Sequence, residues 1–600
     1  MSEEMWLDDS SYSRSYEKAM ERLDAQAPWW THREVSDPGI MLIEMWTLLA
    51  DMQSYYLDQV QQSHYRKYLK LLGIAPDEGE CARTWVFFEC KEDRDKEYIV
   101  PEGTKLLSDQ MVFETVEEVR LRRNRLKWFY LGESEDRTSA MRLTRKNRFI
   151  LEDDIRQERI LFTFVLDKPL KPGEEFGFFV LLDERGKRNG AKEELRMVRL
   201  AWEYQSPDGW QEAEVVRDDT EGLLFSGIIT LRIAPSSDEQ KCAGSTIRCR
   251  LRQGTYDMMP VLYKIYLNVA RVVQRDTLCC EEDLEFDGKC HRAALKSYLA
   301  RTGRLRILKE VEEKDGGADG KLWEDITEDV RIDAPVDADR MERFVEYDGT
   351  GHVKVVCAAC EVDPEDLTFR VTGIAAQRIS LPWKKQMRSS VRLMIRQGDG
   401  EKRYRSCDRA DPEENRYRNV WHWDGEEDVI VLGDGRHGEI PPPSEEGMCL
   451  TAVSLWEGKK GNVPVGRITK WQRPELFPGI SCTNYLAARD GRSRREPSRQ
   501  FEEVKETLLR QNRMVTEEDI RELALETPGL MINRAAAEWE NNTVTVTISP
   551  TYPLKGSDIV EWYRRQVEKH LEPYRLAGTK LKVVIAGEKR RNWNKTTVSE

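Results

Sequence analysis

The spacing of apolar residues along this chain changes twice, and those changes set the class of fold. Up to about residue 75 they recur at i, i+3, i+4 and i+7, the rhythm of a helix face. From about 80 to 490 they fall in short runs broken by turn residues, and after 490 the helical rhythm returns. Such a chain reads as a multi-domain α+β protein: an N-terminal helical region, several β-rich modules and a small C-terminal α+β domain. Its 600 residues exceed what one core organises and predict about three to five domains.

The helical region is read over residues 1–75. Ser36 is placed to cap a helix and Pro38 sits where a first-turn proline is tolerated. Met41, Leu42, Met45, Leu48, Leu49, Met52, Tyr55 and Tyr56 then follow helical spacing, and Gly73 with Pro76 ends the stretch. The aromatics Trp46, Tyr55, Tyr56 and Tyr65 leave two readings open: burial within the chain, or packing on other subunits.

Between 80 and 490, runs such as "TWVFFEC", "RILFTFVLD", "FGFFVLL" and "GIITLRIAP" read as strands in sandwiches or small barrels. "EKDGGADGKLWED", Glu313–Asp325, reads as an exposed loop. Beyond 490, Phe501, Val504, Leu508 and Leu509 share one helix face. "TEED" at Thr516–Asp519 resembles a capping box before a helix with Ile520, Leu523 and Ala524 inward. Alternating Val544, Val546 and Ile548, a helix with Ile559, Trp562, Tyr563, Val567 and Leu571, and a strand with Leu581, Val583 and Ile585 complete a β-β-α-β unit. The last residues read as a frayed tail. The expected divisions are 1–75 (helical), 76–120 (β segment), 121–300 and 301–425 (β-rich), 426–490 (β segment with a glycine turn) and 491–600 (α+β).

Composition excludes several function classes. A net charge of −14 argues against duplex binding driven by lysine and arginine. The basic clusters Arg120–Trp128 and Arg489–Arg499 read as solvated faces, the second able to meet an acidic protein neighbour. No stretch reaches the ~18 apolar residues of a membrane helix, and the first residues lack the apolar run of a signal peptide. The 12 cysteines are scattered like reduced cytosolic thiols. Cys357 and Cys360 form a C-x-x-C without a second pair, and Cys279, Cys280, Cys290 and His291 form a loose cluster. Neither has the spacing of a zinc site, so no metal is expected.

"VLGDGRHGEIPP", Val431–Pro442, contains G-x-G-x-x-G at Gly433, Gly435 and Gly438. A nucleotide-binding loop of this type needs a strand before it and a helix after it, because the helix N-terminus holds the pyrophosphate. Three consecutive prolines follow and forbid that helix. The better reading is a tight turn between strands, with Asp434-Gly435 as the turn signal. Arg436 and His437 lie at its tip. The seven histidines are isolated, and neither a zincin motif, a nucleophile elbow nor a P-loop is present. No catalytic residue and no cofactor is expected. Seventeen tryptophans leave one alternative from another class, a carbohydrate-binding or carbohydrate-active multi-domain β protein.

Six segments in series carry a family resemblance. "SDPGIMLIEMWTLLADMQSYYLDQVQQSHYRKYLKLLGI" is similar to the N-terminal signature of baseplate assembly proteins of contractile tails. "VPEGTKL" with "VFET", then "GDGRHGEIPP", "GKKGNVPVGRI", "NRMVTEEDIRELALETPGL" and "YRLAGTKLKVV", resemble successive motifs of the Baseplate J-like family. The stretches "DGWQEAEVVRDDTEGLLFSGIITLRIAP" and "RCRLRQGTYDMMPVLYKIYLN" are similar to the body of its longer members.

The resemblance implies a structural wedge subunit of the baseplate in phage tails, tailocins or contractile injection systems, not an enzyme. It implies hetero-oligomeric assembly with a second wedge protein, hub or spike, and sheath or sheath-adaptor subunits. More than one copy would stand in a sixfold baseplate, assembled in the cytoplasm into a tail-like particle, with no nucleic acid and no membrane span. The N-terminal helices would join a bundle with partner subunits. No large extra insertion is present, which favours the shorter of two related wedge proteins. The candidate interface residues are Trp46, Tyr55, Tyr56, Tyr65, Arg436 and His437.

Overall fold

The computed structural model describes residues 12–586, apart from 32, 35, 59–61, 91–97, 133–148, 152–158, 184–187, 190–196, 208, 235–243, 290, 312–320, 338–341, 399, 408–417, 426–427, 510–512 and 541. The C-terminal tail and residues 313–320 of the expected Gly-Asp loop lie outside the described residues; the end of that stretch, Leu322–Asp325, is a strand with Trp323 buried and not an exposed loop. Helices and strands are both present, with strands predominating. The chain divides into two compact units. One comprises residues 1–78, 425–427 and 494–509, and the other takes the remainder.

The first unit is helical: α1 (Tyr12–Gln26), α2 (Pro38–Asp58), α3 (Gln62–Leu71) and the helix Pro497–Leu509. The N-cap of α2 is Asp37, not Ser36. Its carbonyl accepts the Met41 amide at 3.0 Å and its carboxylate accepts the Gly39 amide at 2.7 Å. The reason is local. Pro38 occupies the first helical position, so the cap falls on the residue before it. The same carboxylate accepts the Trp30 indole N–H at 3.0 Å, which lays that ring over Gly39. A Cβ at residue 39 would stand 2.0 Å from the ring, so only glycine lets the indole close over the helix start. Gly39→Ala is therefore expected to expel Trp30 and to lower the stability of this unit by ~1–3 kcal/mol. A lower denaturation midpoint and faster exchange of the Trp30 indole N–H would report it.

Helix α3 ends as its sequence predicts. Gly73 has a left-handed φ of 71°, and the Ile74 amide reaches back to the Leu69 carbonyl at 2.9 Å in a Schellman arrangement. The helix Pro497–Leu509 joins α3 from the far end of the sequence. Phe501 packs against Tyr65 and Tyr68, with ring centroids 5.6 and 5.8 Å apart. The Gln62 amide N–H donates to the Ser498 hydroxyl at 3.1 Å, and its carbonyl accepts the Ser498 amide at 3.1 Å. Gln500 likewise bridges the Ala75 carbonyl and the Asp77 amide. Phe501 is thus inward while Leu508, on the same expected stripe, is exposed.

The second unit holds the sheets. A six-stranded antiparallel sheet collects Arg83–Cys90, Lys105–Ser108, Met111–Thr115, Val269–Val273, Lys470–Trp471 and Ile480–Thr483. Its strand Arg83–Cys90, next to one edge, lies between Val269–Val273 and Ile480–Thr483, so segments nearly 400 positions apart are neighbours. Two five-stranded sheets face one another as a sandwich over residues 126–266. Phe164 meets Phe178 at 5.2 Å and Phe178 meets Trp202 at 5.2 Å across it, the edge-to-face contacts that aromatic cores favour.

The largest sheet runs through Leu322–Asp325, Arg304–Val311, Gly351–Ala358, Asp276–Phe286, Ser444–Leu455, Arg392–Gln397 and Gly400–Ser406. Leu322–Asp325 also pairs with Gly400–Ser406, so these strands close into a ring. Closure protects the outer strands of this ring, and the sheet continues from Gly400–Ser406 through Val420–Asp424, Val429–Leu432 and Arg378–Ile379.

At the C-terminal end, Thr516 and Asp519 form the expected capping box, with reciprocal bonds of 3.1 and 2.8 Å. Ile520 and Ala524 are buried and Leu523 is partly so. Ile532–Glu540, Thr543–Pro550 and Lys580–Ile585 form a mixed sheet, and the helix Ser557–Leu571 buries Ile559, Tyr563, Val567 and Leu571. This sheet and helix share one core with the sandwich.

Candidate functional site

Helix α2 has an apolar face that its own unit does not cover. At 100° per residue, Met41, Met45, Leu48 and Met52 form one narrow seam spaced four, three and four residues apart. Leu42, Leu49 and Trp46 flank it. All seven side chains are exposed, Trp46 at 67%. Ile40, 1% exposed, and Thr47 point to the opposite, buried face. The helix is thus anchored along one line and leaves a broad apolar stripe open. Trp29 at 79%, Leu71 at 82%, Tyr68 and Leu72 add to the exposed apolar surface of this unit. Monomeric proteins rarely leave large contiguous apolar area to water; such patches mark protein or membrane contacts or ligand grooves. Seam spacing of this type is what a second helix packs into.

Of the candidate residues in this unit, Trp46 lies on the stripe. Tyr65 is half-buried against Phe501, so it also ties α3 to the helix Pro497–Leu509. Tyr55 and Tyr56 belong to α2 by backbone, but their side chains lie outside the described residues. Sequence reasoning named the apolar positions of α2 but not which would be left open. The signal was present: the apolar positions extend too far round the helix for one contact to cover them all.

The glycine turn belongs to the second unit. The strand Val429–Leu432 enters it and the strand Ser444–Leu455 leaves it; a strand, not a helix, follows the glycines. The two strands pair with other partners and not with each other, so the turn is a connection between strands and not a hairpin. The Gly435 amide donates to the Gly438 carbonyl at 2.9 Å, and Gly435 and Gly438 have φ of 83° and 120°. The Asp434 carboxylate accepts the amides of Arg436 and His437 at 2.8 and 2.6 Å and contacts the His437 ring at 2.8 Å. These amides are held by Asp434 and so are not offered to a phosphate. Arg436 projects exposed at the tip, while His437 is half-buried on Asp434.

Burial alone would raise the Asp434 carboxyl. The His437 amide, the His437 ring and the Arg436 amide outweigh it and hold the group well below the usual carboxylate range. A depressed carboxyl stabilises the fold above its unfolded pKa of ~3.9 and loses that contribution as pH falls below it. The turn is therefore expected to keep its structure to moderately acidic pH, whereas Asp434→Ala loosens it at neutral pH. Amide exchange of Arg436 and His437 at pH 7 checks this; unchanged protection in the variant would contradict it.

An open cleft of about 890 Å³ is lined by Glu117, Arg122, Glu174 and Arg217 among others, and these pair with one another: Arg217 with Glu117 at 2.7 Å and Arg122 with Glu174 at 2.6 Å. Among the described residues no three His, Cys, Asp or Glu side chains are grouped as metal ligands. Cys290 lies outside those residues, and His291 is an exposed neighbour of Asp348. No helix among them is long and apolar enough to cross a membrane.

The region bearing the open stripe is also the region with a family match. Residues 11–67 match the model of the bacteriophage baseplate protein N-terminal domain. No curated protein matches the chain. In fold, it is similar to a chain of the type VI secretion system TssK-TssF-TssG baseplate subcomplex, with 10% identity and a TM-score of 0.39 over 93% of this chain and 99% of that one. It is also similar to a chain of the anti-feeding prophage baseplate, with 8% identity and a TM-score of 0.31 over 97% of this chain and 72% of that one. The functional reading rests on the family match and on the open helix face.

Proposed function

We propose that this protein is a structural baseplate subunit of a contractile, phage tail-like machine, a wedge component of the Baseplate J-like type. The observation that carries the reading is a coincidence of place. The segment matching the baseplate N-terminal domain, residues 11–67, contains the helix whose apolar stripe is left open. Buried apolar and aromatic anchors supply most of the affinity in stable protein interfaces. Met41, Met45, Trp46, Leu48 and Met52 are such anchors, and the partner is a helix of a second wedge protein packing along the seam. The second unit provides a stiff body of closed and sandwiched sheets, suited to transmitting load between neighbours. Trp46, Tyr55, Tyr56 and Tyr65 serve the helical contact, and Arg436 with His437 presents a smaller polar contact from the glycine turn. Hub, spike and sheath subunits complete the assembly.

Deletion of the coding sequence in the source cell, followed by electron microscopy of its contractile particles, tests the role. Loss of sheathed particles, restored by the intact gene, is expected. Particles of normal form and contractility in the deletion strain would overturn it.

A further inference from the structure

Two cysteine groups that are far apart in the sequence meet in the closed sheet. In the ladder between Asp276–Phe286 and Gly351–Ala358, Cys280 stands directly opposite Cys357. Directly opposed residues of antiparallel strands have Cα atoms about 4.5–5.5 Å apart, inside the span that a disulfide bridges. Opposed residues also point to the same face of the sheet. Here that is the face of Leu284, Val353 and Val355, against the short buried helix Tyr298–Thr302. The two thiols are free, and the Cys357 thiol contacts the Val355 carbonyl at 3.7 Å. Cys279 does not compete. It points to the other face and donates to the Thr451 carbonyl at 3.1 Å. Cys360, beyond the strand, is exposed and contacts the Thr302 carbonyl.

We propose that Cys280 and Cys357 are a modification site, a dithiol that closes reversibly to a disulfide with a low-molecular-weight disulfide such as oxidised glutathione as oxidant. Cys280 is half-buried and Cys357 fully buried, so the oxidant reaches Cys280 first. The Cys280 thiol loses its proton to solvent, and its sulfur attacks one glutathione sulfur. A mixed disulfide forms, and one glutathione thiolate leaves and is protonated. The Cys357 thiol then loses its proton, and its sulfur attacks the Cys280 sulfur. The protein disulfide forms and the second glutathione leaves as thiol. The protein loses two electrons and two protons, and one glutathione disulfide becomes two thiols. The neighbouring Cys280 thiol first, and burial second, hold the Cys357 thiol well above its ordinary value. The closing step is therefore slow at neutral pH and accelerates as pH rises, because only the thiolate attacks.

The bond joins adjacent strands of the ring across a long stretch of chain. Closing a long loop stabilises chiefly by restricting the unfolded chain, so the thermal midpoint should rise on oxidation by ~2–5 °C. In a reducing compartment the pair stays open, and in an oxidising medium it closes.

The test uses the full chain held in buffers of defined oxidised-to-reduced glutathione ratio, with alkylation of remaining thiols and peptide mapping. The expected product is one linked pair joining the peptides of Cys280 and Cys357, formed faster at higher pH and reversed by reductant. It should persist in Cys279→Ala and in Cys360→Ala. Cys357→Ala should leave a stable glutathione adduct on Cys280. A link that survives Cys280→Ala but is lost in Cys279→Ala would overturn the proposal. So would full alkylation of both wild-type thiols after oxidation, a result that needs no variant to fold.

Discussion

Leu48→Glu in α2 should weaken association with the proposed wedge partner by more than ~100-fold, the effect of removing a central apolar anchor worth ~2 kcal/mol or more and burying a carboxylate in its place. Leu48 lies in the middle of the open seam, between Met45 and Met52. The chain alone should barely notice. The side chain is exposed, so its stability should change by no more than ~0.5 kcal/mol. This separation of effects distinguishes an interface from a core. Leu48→Met, which keeps the apolar volume, should retain association. Affinity capture of the partner from cells expressing both proteins, read beside the thermal midpoint of the isolated chain, checks both halves. Undiminished capture would remove α2 from the interface, and a collapsed midpoint would place Leu48 in a core instead.

Asp257→Ala should cost ~3–5 kcal/mol of the second unit's stability, the usual consequence of leaving one partner of a buried ion pair without the other. Asp257 and Arg188 have side chains 1% and 8% exposed and approach to 2.8 Å. The Tyr563 hydroxyl donates to the same carboxylate at 2.6 Å. Burial first, and Asp257 second, raise the Tyr563 phenol well above its ordinary value, so it stays protonated and donates across the working pH range. Arg188 also donates to the Gly529 carbonyl, and Asn189 to the carbonyls of Leu525 and Thr527. These contacts join the sandwich to the C-terminal sheet and helices. The first effect of Asp257→Ala should therefore be release of residues 514–586, seen as early protease cleavage and a new low-denaturant transition. Tyr563→Phe, which removes one hydroxyl, should cost only ~1 kcal/mol. Adding Arg188→Ala to Asp257→Ala should recover part of the loss, because the unpaired charge goes too. A single unshifted transition in Asp257→Ala would contradict the latch.

What the sequence made legible was local. The Gly73 stop, the Thr516–Asp519 capping box and the helix set Ile559, Trp562, Tyr563, Val567 and Leu571 each follow from a few adjacent residues, and each appears in the fold, with Trp562 only half-buried. The prolines after Gly438 were enough to deny a phosphate-binding helix. Local rules also failed locally. Ser36 looked like the cap of α2, but Pro38 fixes the cap one residue later, at Asp37. The glycine turn was recognisable, while the separate pairing of its two flanking strands was not.

The long-range arrangement was closed to sequence reasoning for a physical reason. Any apolar alternating run pairs acceptably with many others, and the choice is made by the whole sheet. Nothing in "TWVFFEC" names residues 269–273 and 480–483 as its neighbours. Nothing in Cys280 names Cys357, nor in Tyr563 names Asp257. The open face of α2 was half legible. The helical spacing of Met41 to Met52 gave the stripe, but which part remains open depends on where Ile40 and Thr47 find cover.

The most direct measurement is the composition of the machine itself. Contractile particles purified from the source cell, with the chain quantified by mass spectrometry against the sheath and located by labelled electron microscopy, decide the central claim. This chain is expected at a fixed ratio to the other tail subunits, in a multiple of six copies, at the baseplate end. Intact particles that lack it, or a chain found only as a free monomer in the same cells, would contradict it.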